Sequence, residues 1–311
     1  MTRRLLITVI TLFLVSVLTF IAFTIIPGDP ADLMLGIEAT DEQIAAMRSE
    51  LGLDQSLPTQ YILWLKRFLT GNLGNSVRFR GESISKLVLE RLPVTFSLAS
   101  LSLVFILLIS VPVAVLSAVK EHPVLDRFIN TFTTINIALP GFFLGVLFIW
   151  IFGIILRFFA PGSYVPYQEN VPGFLKYLLF PSLAIAIPNA AILIKFLRGA
   201  ILQQLHCDYV RTAYSKGASQ RQVLYRHVLK NAAIPGITLL GMIIGDVFSG
   251  SIVIEQVFTI PGIGRLLIAS ITSRDYPLVQ TLVVYIAFTV AGANTLVDIA
   301  IQIIDPRIRV G

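Results

Sequence analysis

The chain has 311 residues, of which 55% are apolar and only 14% charged. A soluble domain carries about 25% charged residues, so composition excludes an ordinary soluble protein and points to a chain built for a lipid bilayer. The net charge of +6 is not gathered into a basic patch with interleaved aromatics, which argues against a nucleic-acid partner, and the single cysteine, Cys207, excludes an intramolecular disulfide and a cysteine metal cluster.

A bilayer-crossing helix needs about 20 apolar residues. Six runs qualify: Leu5 to Ile26, Thr95 to Val119, Phe128 to Phe158, Leu175 to Leu197, Ile234 to Ile254 and Leu278 to Ile301. The first follows Arg3 and Arg4. Its apolar part is too long for a signal peptide and no small-residue cleavage pattern follows, so it reads as an uncleaved span. The third contains Pro140 and Gly141, where a kink or tilt is expected. The spacing thus predicts an all-α polytopic membrane protein with six transmembrane helices.

Between the first two spans, residues 27–93 have a soluble composition with seven basic and nine acidic side chains. Thr40 with Gln43 forms a capping-box pattern for a helix to about Leu51. Pro58 suits the first turn of a helix to about Leu69, glycines at 71 and 74 turn the chain, and a third short helix is expected over Ser83 to Arg91. This segment reads as a small helical extracytoplasmic domain. The chain then divides into a first transmembrane helix (1–26), that domain (27–93), a five-helix core (94–304) with a polar loop at about 199–233, and a short tail (305–311).

Lys and Arg near the span ends set orientation. One side collects Arg3, Arg4, Lys120, Arg127, Lys195, Arg198, the basic residues from Arg211 to Lys230, Arg307 and Arg309. The short loops of the other carry Arg157, Arg265 and Arg274. Both termini and the polar loop are therefore expected in the cytoplasm.

The polar loop organises the chain. Leu202, Leu205, Tyr209 and Ala213 recur at helical spacing with Arg211 and Lys216 off the stripe, Gly217 breaks the pattern, and Ser219 with Gln222 makes a second capping box. A second apolar stripe, Val223, Leu224 and Val228, runs beside Arg221, Arg226, His227 and Lys230. The expectation is two amphipathic helices joined at a glycine turn. By residues alone, such a hairpin docks on a protein partner or lies on anionic lipid.

Within the spans, Asp246 lies near the middle of the fifth run, roughly 15 Å from either end at 1.5 Å per residue. A lone carboxylate at that depth costs about 2.5–3.5 kcal/mol on insertion scales unless it meets water or a partner. It faces a translocation pathway or makes an interhelical hydrogen bond. Glu255, at the outer end of the same run, binds a cargo cation, caps or pairs. Asp298 lies nearer the cytoplasmic end of the last run. Gly141-x-x-x-Gly145 and Gly241-x-x-x-Gly245 allow close helix approach, within the chain or to a second membrane subunit. The sequence carries no phosphate-binding Gly-x-x-x-x-Gly-Lys-Ser/Thr, no metal-ligand spacing among His122, His206 and His227, and no nucleophile elbow. No catalytic residues, cofactor or resident metal are expected; ATP hydrolysis would belong to another chain.

Asp208-Tyr209-Val210-Arg211-Thr212-Ala213 with Gly217, then Arg226-His227 and Asn231-Ala232, resembles the cytoplasmic coupling loop of binding-protein-dependent ABC transporter permeases of the dipeptide, oligopeptide and nickel type. Asp208 stands where the family usually has Glu, and the Ile-x-Leu-Pro ending of the broader family is absent. Gly28-Asp29-Pro30, Leu51-Gly52-Leu53-Asp54, Gly71-Asn72-Leu73-Gly74-Asn75-Ser76, the string Ile254 to Arg265, Arg274-Asp275-Tyr276-Pro277 and Asp305-Pro306-Arg307 extend the resemblance over nearly the whole chain.

The resemblance implies a type I ABC importer permease of a bacterial or archaeal inner membrane. It also implies a second homologous permease, two P-loop ATPase subunits, an extracellular solute-binding protein and alternating access. Asp208, Tyr209, Arg211, Ala213, Lys216 and Gly217 would then couple to the ATPase. Di- or oligopeptides are the expected cargo, with nickel or a metal chelate as the alternative because Gly245-Asp246 resembles the Gly-Glu of nickel permeases. A proton-coupled secondary transporter using Asp246 and Asp298, or a non-transporting membrane subunit, are the readings from other classes.

Overall fold

The computed structural model describes residues 2–25, 40–76, 78–79, 81–119 and 123–304. The expectations at Gly28-Asp29-Pro30 and Asp305-Pro306-Arg307, and for the side chain of Asp298, lie outside the described residues. Among those described, the elements are almost all helical. They are α1 (Thr2–Ile25), α2 (Asp41–Leu51), α3 (Leu57–Leu69), α4 (Ile84–Val119), α5 (Pro123–Ala138) and α6 (Gly141–Phe148), which runs on into a π turn (Ile149–Ile155). They continue with α7 (Val171–Leu205), α8 (Asp208–Ser215), α9 (Gln220–Val223) followed by a π turn (Leu224–Val228), α10 (Leu229–Val257), α11 (Ile263–Thr272) and α12 (Tyr276–Ile304). Five of these helical stretches are long and apolar enough to cross a membrane, or six if α5 and α6 form one span.

The third run is where the expected kink is too mild. Helices α5 and α6 meet at 99°. Pro140, extended at φ −62° and ψ 139°, caps α6 rather than continuing α5. Lacking an N–H, proline opens a helix more readily than it prolongs one. A second correction falls at the expected short helix over Ser83 to Arg91. It is the first part of α4, which continues through Pro93. Ile84, Leu87 and Val88 are buried before the proline, and Val94 and Leu98 after it. That burial outweighs the roughly 3 kcal/mol an interior proline costs.

The chain forms two compact units, Met1–Pro93 with Pro261–Gly292, and Val94–Ile260 with Ala293–Gly311. In the first unit the predicted caps hold. The Thr40 hydroxyl and Gln43 side chain form the capping box of α2, and Gly52 closes it in the left-handed region at φ 74°. Helix α3 lies against α1 through Tyr61, whose hydroxyl is 2.8 Å from Ser16 Oγ, and through Phe20 and Trp64. The core gathers Ile84, Leu87 and Val88 with Ile263, Leu266, Leu278 and Leu282. Buried Asp275 fastens this unit: it accepts from Ser76 Oγ, from the Arg78 backbone N–H at 3.1 Å, and from Leu278 N–H at the start of α12. Two distant strings of the sequence, at Ser76 and at Asp275, thus meet on one carboxylate.

In the second unit α7 packs against α5, α6 and α10. The glycines of α6 make these approaches possible. A Cβ on Gly141 would stand 3.3 Å from the Ala184 carbonyl oxygen, and one on Gly145 would stand 3.1 Å from Ile254 and 3.2 Å from Phe258. This glycine pair therefore serves packing within the chain. Gly145→Leu should overpack the α6–α10 contact and cost about 2 kcal/mol. A thermal unfolding scan in detergent should show a lowered midpoint for it and a smaller change for Gly145→Ala.

Candidate functional site

The surface segment between α7 and α10 is built from short-range signals. Helix α7 ends at Leu205, and Cys207 is extended before α8. Helix α8 closes in a Schellman turn: Ala218 N–H reaches the Ala213 carbonyl at 3.1 Å and Gly217 N–H the Tyr214 carbonyl at 2.9 Å. Gly217 holds φ 83° with nothing within 4 Å of where a Cβ would sit, so backbone conformation alone demands glycine there. The capping box predicted at Ser219 is present, with Ser219 N–H to Gln222 Oε1 at 3.1 Å and Gln222 N–H to Ser219 Oγ at 3.4 Å. Ser219→Ala should cost about 1 kcal/mol by uncapping α9. Hydrogen exchange should rise in residues 218–224 and nowhere else.

The expected second amphipathic helix is not a separate arm. It runs through the π turn directly into α10, giving one helical stretch over Gln220–Val257. The predicted stripes are correct in what they bury. Val210, Val223, Leu224, Val228 and Ala232 form a core with Ala114 and Ala118 of α4 and Ile201 of α7, and Leu202, Leu205, Tyr209 and Ala213 pack on it. The π turn adds a residue to the helical path, which keeps Val223, Leu224, Val228 and Ala232 on one buried side despite the long register. The surface segment and the apolar helix that follows it are thus one helical stretch, not a hairpin set apart from a span.

What the packing leaves outside is polar and basic. Asp208, Arg211, Lys216 and Gly217 are exposed, as are Arg221, Arg226 and His227, while Tyr209 is half-buried with its hydroxyl 2.8 Å from Gln204 Oε1. Arg211 and Asp208 are 4.0 Å apart with side chains 81% and 98% exposed, a pair too solvated to matter for stability. Tyr214 and Tyr225 are exposed aromatics on the same segment. They were not singled out in the sequence because they fall off the apolar stripes, which is itself the signal that could have found them. Aromatic and arginine side chains exposed together are typical anchors of a protein interface. Just behind the segment, Arg198 of α7 holds Asp126 of α5 at 2.8 Å, with both side chains mostly covered.

The two carboxylates of the fifth run part company. Asp246 is exposed on α10. Glu255 is 0% exposed and accepts a hydrogen bond from Thr95 Oγ1 of α4 at 2.6 Å. This geometry gives the Glu255 carboxylate a hydrogen-bonding partner on α4. One turn on, Phe258 gives its carbonyl to the Tyr177 hydroxyl at 2.6 Å, and that hydroxyl accepts from Gly162 N–H at 3.2 Å. The C-terminal end of α10 is therefore tied to α4, to α7 and to the loop before α7.

The described residues thus form a helical chain with several candidate spans and a basic, glycine-turned surface segment running into one of them, the build of a polytopic membrane protein. Residues 110–310 match the family of binding-protein-dependent transport system inner membrane components, and residues 1–99 match the N-terminal part of membrane components of such systems. Three relatives share its full extent. A probable peptide ABC transporter permease of Sinorhizobium fredii is 37% identical, covering 99% of this chain and 98% of its own length. A putative peptide permease of Brucella suis is 36% identical over 99% and 98%. The oligopeptide transport system permease protein AppB of Bacillus subtilis is 33% identical over the same shares. The chain belongs to the binding-protein-dependent transport system inner membrane component family: it is a multi-pass inner-membrane permease of the type I ABC importer kind, a transport subunit rather than an enzyme.

Proposed function

We propose that the chain is one of the two membrane subunits of an ATP-driven importer of di- or oligopeptides. A solute-binding protein presents the peptide outside, and separate P-loop ATPase subunits act on the segment Asp208 to Gly217 from the cytoplasm. The similarity to three peptide permeases along their whole length supports the cargo. The observation that carries the coupling is the continuity of the surface segment with α10: α8 and α9 share one buried core, and α9 runs without a break into the span. Closing of the ATPases would press on Asp208, Tyr209, Arg211, Ala213, Lys216 and Gly217 and tilt α10, switching the pathway near Asp246 between the two sides. Tyr214 and Tyr225 would anchor the contact. Both chain termini lie in the cytoplasm on this reading, residues 27–93 lie outside, and Glu255 holds the outer end of α10 beside the pathway.

The test is purification of the chain from its native membrane in detergent, followed by reconstitution. A P-loop ATPase and a second permease should accompany it, and ATP hydrolysis in proteoliposomes should rise when peptide-loaded binding protein is added outside. A chain that purifies without an ATPase, and whose cargo uptake survives ATP depletion but collapses with the proton gradient, would replace this reading with a secondary transporter.

A further inference from the structure

Helix α10 has one face that its neighbours leave uncovered through the whole depth of the apolar run. Thr238, Met242, Asp246, Ser249, Val253 and Gln256 are each exposed. They recur at steps of four, four, three, four and three residues and so fall on a single side of the helix, over about 27 Å of its length. The opposite side carries Ile243, Val247, Ser251, Ile254 and Glu255, all buried.

The chemistry of the uncovered face differs from that of the other exposed helix faces. Helix α1 exposes Leu6, Val9, Phe13 and Leu18, and α4 exposes Val104, Leu107, Leu108 and Val111. Those are surfaces for acyl chains. On the α10 stripe four of six residues are polar, one is a carboxylate near the middle of the span, and none is basic. A carboxylate and three other hydrogen-bonding side chains in one line cannot face hydrocarbon without large cost.

We infer that this stripe lines a water-filled path and that Asp246 is the site at which it recognises a cationic group of the cargo, the free ammonium of a peptide being the group that fits. The inference rests on the transport reading above and adds the chemistry of selection to it. The carboxylate supplies a single fixed negative charge at mid-depth, where low-dielectric walls focus its field. Thr238, Ser249 and Gln256 supply neutral hydrogen-bonding groups above and below it, and Met242 and Val253 give apolar contact that tolerates different side chains. Such a line attracts an ammonium group and binds the remainder of the cargo weakly, as a path that must release what it takes requires.

The test uses charged thiol reagents in native membrane vesicles carrying the intact transporter. Cys207 is the only cysteine of this chain, so in a Cys207→Ser background the label carried by this chain reports Met242→Cys or Ser249→Cys, each one turn from Asp246. A cationic methanethiosulfonate should modify both positions about tenfold faster than an anionic one of similar size. Adding Asp246→Asn should bring the two rates within about twofold of each other, and Asp246→Glu should keep the preference. Val247→Cys on the buried side should stay unmodified. No modification at either stripe position would mean that a protein partner or lipid seals the face, and would overturn the inference. Modification without charge preference, or a preference that survives Asp246→Asn, would overturn the role of the carboxylate. The labelling needs no ATP, so its failure is distinct from failure of the coupling reading, which stimulated ATP hydrolysis in the same vesicles reports separately.

Discussion

Gly217→Pro should leave the chain inserted in the membrane at normal abundance and abolish stimulation of ATP hydrolysis by loaded binding protein. The reasoning is local. Gly217 sits at φ 83°, and its N–H closes the end of α8 on the Tyr214 carbonyl. Proline is fixed near −65° and has no N–H, so the left-handed turn and one of its two closing hydrogen bonds are both lost. The Cβ position itself is open, with nothing within 4 Å of it, so a side chain there meets no clash in the spans. What changes is the angle at which α8 leaves α9, and with it the placement of Arg211, Lys216 and Tyr214 on their shared surface. Gly217→Ala keeps the N–H and pays only the left-handed backbone cost, about 1–2 kcal/mol, so it should retain part of the stimulation. Full stimulation in the proline variant would remove this segment from the coupling machinery.

Glu255→Ala should lower stability by about 2–3 kcal/mol. The side chain is fully buried and accepts from Thr95 Oγ1. Truncation leaves a cavity and removes the acceptor of the Thr95 hydrogen bond. Glu255→Gln preserves the shape and an acceptor oxygen and should lose about half as much. Thermal unfolding of the detergent-solubilised chain measures both. Asp246→Ala in the same assay should change the midpoint little, because that side chain is exposed. Equal destabilisation by the two alanine variants would show that the difference in burial does not separate the two carboxylates.

Much of the local structure could be read directly from residue order. The capping boxes at Thr40 and Ser219 and the turn at Gly217 lie where the sequence puts them. Each depends on interactions between residues only a few positions apart, which the chain carries wherever it is placed. The apolar stripe through Val223, Leu224 and Val228 was legible for the same reason: its 3.6-residue period is a property of the helix itself. The two misjudged joints are of another kind. At Pro93 the sequence offers a break and the fold ignores it, because burial on either side outweighs one lost hydrogen bond. At Pro140 the same residue type breaks the chain by 99°. Proline sets the local penalty; only packing decides whether it is tolerated.

The candidate site divides along the same line. Its members at Asp208, Arg211, Lys216 and Gly217 were visible as departures from an apolar stripe. Asp246 and Glu255 looked alike, two carboxylates nine residues apart on one helix. Nine residues is two and a half turns, which places them on opposite sides of α10, but which side is left uncovered and which meets Thr95 is decided by the packing of α4. Likewise, Asp275 and Ser76 share one hydrogen bond across 199 positions.

By itself, then, the order of residues determined the class of protein, the number of apolar runs, the caps and the turn of the surface segment. Those follow from hydropathy and from contacts within a helical turn or two. The tertiary structure alone decided that α9 and α10 are one continuous helical stretch, that Asp275 joins distant parts of one unit, and that only one of the two α10 carboxylates stays open. Those depend on helices far apart in sequence coming together, and no local energy term encodes which side of a helix its neighbours will cover.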